Sequence, residues 1–302
     1  MSIIERALGK LQKDGPGARS DATQPIAARQ SRGGGRVEQI GDAGGRPGRI
    51  APPAETVPVN MEELRAAGAL PREEFASTLT DQFRRIKWPI LETVLAGHQN
   101  ADDVANLIMV TSSVAGEGKT FTSLNLACSL AREKDFTVLL VDADVAKRHT
   151  TEIFNLQDRQ GLTDAIADKN IDPESLVLGT TIPGLCVLPA GRRSSSAPEL
   201  FASQRMSDII QQLGRVDQHR IVLFDSSPLL LTNESQVLAR LVDQVLFVVR
   251  AEFTAQPLVI EAIGLLDKKK PVRAVLNQAR ASRMTEYYYG YGYYPNDRQR
   301  AE

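Results

Sequence analysis

The sequence predicts an α/β fold, a doubly wound and mostly parallel sheet flanked by helices. Three observations predict it. From Leu107 onward, short apolar runs alternate with helical stretches. The runs are continuous in Val, Ile and Leu rather than alternating, which suits strands buried on both faces. A glycine-rich segment, Ser113-Val-Ala-Gly-Glu-Gly118-Lys119-Thr120, stands between the first run and the helix that follows it.

The elements follow in order. Residues 2–13 place Ile3, Ile4, Ala7, Leu8 and Leu11 at helical spacing, so residues 1–13 form a short amphipathic helix candidate. Residues 14–58 read as a disordered linker. Ten of the 22 glycines lie in the first 50 residues, and no aromatic residue precedes Phe75. Such a stretch buries too little surface to offset its ordering entropy. Met61–Ala67 and Glu73–Leu95 read as helices, the second with a bend at Pro89. Candidate strands are Leu107–Thr111, Val138–Asp142, Leu185–Pro189, Ile221–Asp225, Val245–Val249 and Arg273–Asn277. The helices expected between them are Lys119–Glu133, Leu162–Ala167, Pro198–Leu213, Glu234–Leu241 and Gln256–Asp267. Residues 59–282 thus read as the folded domain, and residues 283–302 as a flexible tail.

Composition excludes several classes. The net charge of -1 and pI near 6.4 offer no basic field for nucleic acid. Two cysteines without a CxxC pair, with three histidines, exclude a disulfide framework and a zinc site. Cys128 and Cys186 are read as buried thiols in a reducing compartment. No run of about 18 apolar residues occurs, and Met1–Lys13 lacks a continuous apolar core, so neither a membrane span nor a signal peptide is expected. The chain is read as cytoplasmic.

The glycine-rich segment has the context of a phosphate-binding P-loop, a strand before it and a helix after it. Its glycines let backbone N–H groups turn inward onto phosphate oxygens, and the helix that follows points its positive end at them. The nucleotide contacts expected are Ala115, Gly116, Glu117, Gly118, Lys119, Thr120 and Phe121. Lys119 would reach the β- and γ-phosphates of a bound nucleotide, and Thr120 would bind Mg²⁺. Ser113 stands where this pattern commonly has its first glycine. Asp142 and Asp144 close one strand, and Asp225 closes another. Ligands of open α/β sheets sit at the carboxyl ends of strands, so the three carboxylates should converge on the metal beside the P-loop.

All six tyrosines of the chain lie within eight residues: Tyr287, Tyr288, Tyr289, Tyr291, Tyr293 and Tyr294. A buried role would not gather one aromatic type at a chain end. A tail of this kind can enter a neighbouring copy's phosphate site as its substrate, and the alternative is a packing or partner-binding patch.

These motifs together resemble the bacterial tyrosine kinases of polysaccharide export (BY-kinases), over roughly residues 70–294. The resemblance rests on Ser113–Thr120, Val138–Asp144, the Walker B-like Ile221–Pro228 and the tyrosine cluster. Lesser matches are Leu188-Pro-Ala-Gly191, Pro198-Glu-Leu200 and Val248-Val-Arg250. Among these kinases the chain looks most like the stand-alone form near exosortase/PEP-CTERM loci. The resemblance implies an ATP- and Mg²⁺-dependent tyrosine autokinase that regulates exopolysaccharide polymerisation and export. It implies that Lys119 and Thr120 bind phosphate and metal, that Asp142 aids deprotonation of the tyrosine hydroxyl, that Asp144 and Asp225 help hold the metal, and that Asn277 reaches the adenine. It further implies a ring-like homo-oligomer and a tyrosine phosphatase. Recruitment to the inner membrane would come from the cytoplasmic segment of a Wzz-type chain-length-determinant protein.

Two positions depart from the family pattern. The D-x-D-x-R motif ends in Ala146, with Lys147 or Arg148 as the substitute cation. The E-x-x-R-x-x-R helix of the ring interface corresponds to Asp81, Arg84 and Lys87, and lysine lacks the bidentate fork of arginine. Two rival readings remain. One is a partition- or division-site-type ATPase switch, which would carry lysine where Val114 stands and would not need the tyrosines. The other is a non-catalytic ATP-binding adaptor of polysaccharide export.

Overall fold

The computed structural model describes residues 53–97 and 105–279. The helix candidate at 1–13, most of the linker and the tyrosine cluster lie outside the described residues.

Among the described residues the strands are β1 (Thr56–Val57), β2 (Leu107–Ser112), β3 (Thr137–Ala143), β4 (Leu178–Thr180), β5 (Leu185–Leu188), β6 (Arg220–Ser226), β7 (Gln244–Arg250) and β8 (Val272–Asn277). They form one sheet in the order β1-β4-β5-β3-β6-β2-β7-β8. Every neighbouring pair is parallel except β4–β5. Every residue of β2 and β6 is buried, as the continuous apolar runs require. The edge strand β8 is only partly covered.

The helices are α1 (Met61–Ala66), α2 (Glu73–Gly97), α3 (Lys119–Leu130), α4 (His149–Ile153), α5 (Leu162–Ala167), α6 (Ala197–Phe201), α7 (Gln204–Arg215), α8 (Asn233–Leu241) and α9 (Gln256–Gly264). The helix α3 packs beneath the sheet centre through Leu124, Leu126, Ala127 and Leu130. The long helix α2 lies against α3 through Phe83, Ile90, Leu91 and Val94. It runs through Pro89 as one element. Arg273 of β8 donates to Pro89 O at 2.7 Å and to Thr93 Oγ1 at 2.5 Å, tying the turn that follows the proline to the sheet.

The six expected strands are all present, within one residue at most ends. Three expectations differ from the structure. Thr56–Val57, expected in the linker, pairs with Gly179–Thr180 at the sheet edge. A two-residue strand is fixed by its partner, not by its own composition. The helix expected over Pro198–Leu213 is broken, because Ser203 has extended backbone (φ -77, ψ 155) and its hydroxyl caps Met206 N at 3.3 Å. The set Asp81, Arg84 and Lys87 is split. Asp81 and Arg84 form an exposed pair at 2.9 Å. Lys87 turns inward, donating to Ser129 O at 3.0 Å and to Glu133 Oε1 at 2.5 Å.

One buried amide pins the start of β2 to β6. Asn106 Nδ2 donates to Gly214 O at 2.8 Å and to Arg220 O at 2.7 Å. Asn106→Ala would strip both carbonyls of this donor in a dry setting. We expect a loss of about 2 kcal/mol, read as a lower urea midpoint at unchanged slope. An unchanged midpoint would contradict this account of the β2–β6 anchor.

Candidate active site

The P-loop joins β2 to α3, and its shape follows from where its carbonyls go. Val114 O accepts from Ser112 Oγ at 2.8 Å, and Gly116 O from Arg250 Nη1 at 3.4 Å. Glu117 O accepts from Asn277 Nδ2 at 2.9 Å, and Gly118 O from Thr122 Oγ1 at 2.8 Å. Turning these carbonyls away leaves the loop's N–H groups to form a concave anion nest. Gly116 (φ 82) and Gly118 (φ 93) adopt the left-handed backbone that permits this course. A Cβ on Gly118 would also lie 2.0 Å from Asn277 Nδ2. Ser113 is not among the positive-φ residues, so the loop tolerates a side chain there. Its hydroxyl is buried without a hydrogen-bond partner.

The acidic groups meet beside this nest. Asp142 and Asp225 are direct neighbours across the β3–β6 ladder. Asp142 Oδ2 accepts from both the N and the Oγ1 of Thr151 at 2.7 Å, while its Oδ1 accepts from Asp144 N at 3.2 Å. Asp225 accepts from Thr150 Oγ1 at 2.7 Å and from Ser123 Oγ at 3.0 Å. Asp144 accepts from Ser227 Oγ at 2.8 Å and from Lys147 N at 3.3 Å. Burial, reinforced by the neighbouring Asp225 charge, pushes the Asp142 carboxyl up to about 7, against the pull of its Thr151 hydrogen bonds. Burial likewise raises Asp225, against its hydroxyl donors and Lys119.

Lys119 is the buried cation of this cluster. Its ammonium rests on Ser112 Oγ at 3.2 Å. Desolvation pulls its pKa below the ordinary value, and Asp225, Asp144 and Glu117 oppose that. Of the two cations next to Ala146, Arg148 is drawn away to Gln157 O at 3.0 Å in left-handed backbone (φ 58). Lys147 stays exposed, and its charge acts on Lys119. An open cleft of ≈ 420 Å³ adjoins Thr120, with Phe121, His149, Ile153 and Ala69 among its walls.

The structure therefore brings Lys119, Thr120, Asp142, Asp144 and Asp225 to one end of the sheet, with Asn277 on the other side of the P-loop. The supporting hydroxyls of Thr150, Thr151, Ser123 and Ser227 were not singled out from sequence. The Thr150-Thr151 pair, close behind the acidic motif, was the available signal. The Glu117 side chain also differs from expectation, since its carboxylate is buried against Val114, Arg250 and Thr254.

A nucleotide fits these residues, because the nest supplies donors for phosphate. Among the described residues no three acidic, histidine or cysteine side chains gather closely enough to cage a metal ion by themselves, so a divalent cation would rest on one or two of the carboxylates and on the nucleotide's phosphates.

Comparison with known proteins agrees. A family described as an AAA domain matches residues 105–272. The chain is 31% identical to the tyrosine-protein kinase YwqD of Bacillus subtilis, covering 61% of this chain and 77% of that one. It is 30% identical to CapB of Staphylococcus aureus, covering 72% and 91%. It spans only 26% of the longer tyrosine-protein kinase Wzc of Salmonella typhi, at 28% identity. Among solved structures, the VpsO kinase domain is 29% identical with a TM-score of 0.56, covering 69% of this chain and all of that one. The MinC:MinD complex of Aquifex aeolicus, at 22% identity and a TM-score of 0.50 over 62% and 72%, shares the fold alone. By its relatives and by structure, the chain belongs to the bacterial tyrosine-protein kinases.

Proposed function

We propose that this kinase transfers the γ-phosphoryl group of ATP to tyrosines 287–294 of a neighbouring copy. The observation that carries the reading is the meeting of a preorganised phosphate nest with three buried carboxylates and Lys119. The tyrosine cluster supplies the acceptor. In the transfer, the tyrosine oxygen forms a bond to the γ-phosphorus as the bond to the β–γ bridging oxygen breaks, and ADP leaves. Lys119 balances charge on the β- and γ-phosphates, and the nest N–H groups orient them. A magnesium ion, held by Thr120, Asp144 and Asp225 with Asp142 near, would neutralise phosphate charge. The hydroxyl proton goes to Asp142. Its Oδ2 is committed to Thr151, so Oδ1 receives the proton. Burial, which raises the proton affinity of this carboxyl, favours it as the acceptor. The cleft beside Thr120 has room for the acceptor ring, and exposed Lys147 takes the place left by Ala146.

The regulated process, by family resemblance, is exopolysaccharide polymerisation and export. A cytoplasmic segment of a chain-length-determinant protein would activate the kinase at the inner membrane, and a tyrosine phosphatase would reset it. Copies would meet in a ring through Asp81 and Arg84, because Lys87 is occupied within its own chain. Each phosphate adds about -1.5 to -2 charges, so six would add roughly -9 to -12 and drive tails out of acidic sites.

Mixing tests transfer between copies. A full-length Lys119→Met chain is incubated with Mg-ATP and an active chain ending at Met284. Phosphotyrosine should appear on the Lys119→Met chain. Arg84→Glu in the truncated chain should lower the yield severalfold, and the partner's cytoplasmic segment should raise it. Phosphate appearing only when one chain carries both an intact Lys119 and the tail would contradict transfer between copies.

The Asp142 carboxyl also makes a pH prediction. Unfolded, it titrates near 3.8; folded without nucleotide, near 7. Between these values the folded chain holds a proton that the unfolded chain lacks. The resulting stabilisation is complete below the lower value and is lost as pH rises through the upper one. The urea midpoint of the nucleotide-free protein should therefore fall between about pH 4 and about pH 7, and fall less in Asp142→Asn. Parallel declines in the two proteins would contradict it.

A further inference from the structure

The Glu117 carboxylate is used by no step of the transfer, although it lies inside the phosphate loop. It has no exposed surface. Its Oε2 accepts from Val114 N at 2.7 Å, bridging the loop from one side to the other. Its Oε1 accepts from Thr254 Oγ1 at 2.6 Å and from Arg250 N at 3.4 Å. The same two segments meet once more directly, where Arg250 Nη1 reaches Gly116 O at 3.4 Å, and once through the end of β8, where Ala251 N donates to Asn277 O at 2.9 Å. Asn277 in turn holds Glu117 O. The turn that carries Thr254 is itself fixed by Thr254 N donating to Arg250 O at 3.2 Å.

From this network we infer that Glu117 is a positioning residue: its carboxylate clamps the P-loop to the turn after β7, and that clamp sets nucleotide affinity without touching phosphate. The inference rests on the nucleotide-binding reading of the loop. Gly116 and Gly118 flank Glu117, and two glycines make the free loop costly to order. The carboxylate fixes the residue between them from both sides. It also consumes the Val114 N–H, so that group is not turned toward phosphate. Without the clamp, only a fraction of molecules hold the nest, and apparent affinity falls by that fraction.

Charge argues the other way. A carboxylate close to bound phosphates repels them, so its removal would tighten binding if electrostatics dominated. Two features favour the clamp. The carboxylate accepts three hydrogen bonds, which spread its charge. It also stabilises the protonated form of Lys119, the cation that meets phosphate.

The test uses Mg²⁺ with a fluorescent ADP analogue, and steady-state transfer with ATP. Glu117→Ala should weaken ADP binding about tenfold, the effect of losing one well-made buried hydrogen bond. Thr254→Val removes the far anchor from outside the phosphate loop and should weaken binding severalfold. In both, KM for ATP should rise while kcat holds. Thr254→Ser keeps the hydroxyl and should restore wild-type affinity. Should Glu117→Ala fail to fold, Thr254→Val and Thr254→Ser still decide the matter. Wild-type affinity in Thr254→Val, tighter ADP binding in Glu117→Ala, or a fall in kcat at constant KM would overturn the clamp. Failure of the wild type itself to bind the ADP analogue would instead overturn the nucleotide reading beneath it.

Discussion

Asp142 and Asp225 stand side by side at the ends of adjacent parallel strands, both sealed from water. Two like charges in a desolvated place raise each other's proton affinity, and the fold must answer for them. It does so with hydroxyl and backbone donors from α4 and α3, and with one buried ammonium. Thr150 and Thr151 face one carboxylate each, so the short helix α4 is held over the strand ends by the acids it stabilises. Lys119 belongs to the same cluster and loses part of its own hydration to join it. A divalent cation would relieve this crowding of carboxylates, and phosphate would offset the buried ammonium.

The P-loop meets that cluster from the opposite side and is ordered by outward bonds. Each of the four carbonyls from Val114 and Gly116 to Gly118 that has a side-chain donor is held away from the nest. The donors come from β2, α3, the end of β7 and the end of β8. Sheet order makes this possible. β2 lies between β6 and β7, with β8 beyond, so the acids fall on one flank of the loop and Arg250 with Asn277 on the other. The arrangement is rigid where phosphate would sit and open toward the ≈ 420 Å³ cleft beside Thr120.

Much of this was legible in the sequence, for identifiable reasons. Strands buried on both faces leave unbroken Val/Ile/Leu runs, and all six such runs are strands. The glycine pattern with its strand and helix marked the phosphate nest, and Asp142, Asp144 and Asp225 each ended an apolar run. The remainder depends on partners distant in sequence. Strand β1 exists through Gly179 and Thr180, and nothing in Thr56–Val57 announces it. Lys87 matched a charge pattern on one helix, but its direction was decided by Glu133 on another segment. Glu117 read as one more nucleotide-contact position, and its carboxylate role required Thr254, far along the chain, to be brought beside it.

The fold is shared with the MinC:MinD cell division protein complex, so the chemistry and not the fold is what a test must address. The most direct measurement is the intact mass of the full-length protein after incubation with Mg-ATP, beside Lys119→Met. The account predicts added phosphates on the wild type alone, mapping to Tyr287–Tyr294. Hydrolysis of ATP with no gain in mass, even with the membrane partner's cytoplasmic segment present, would contradict it.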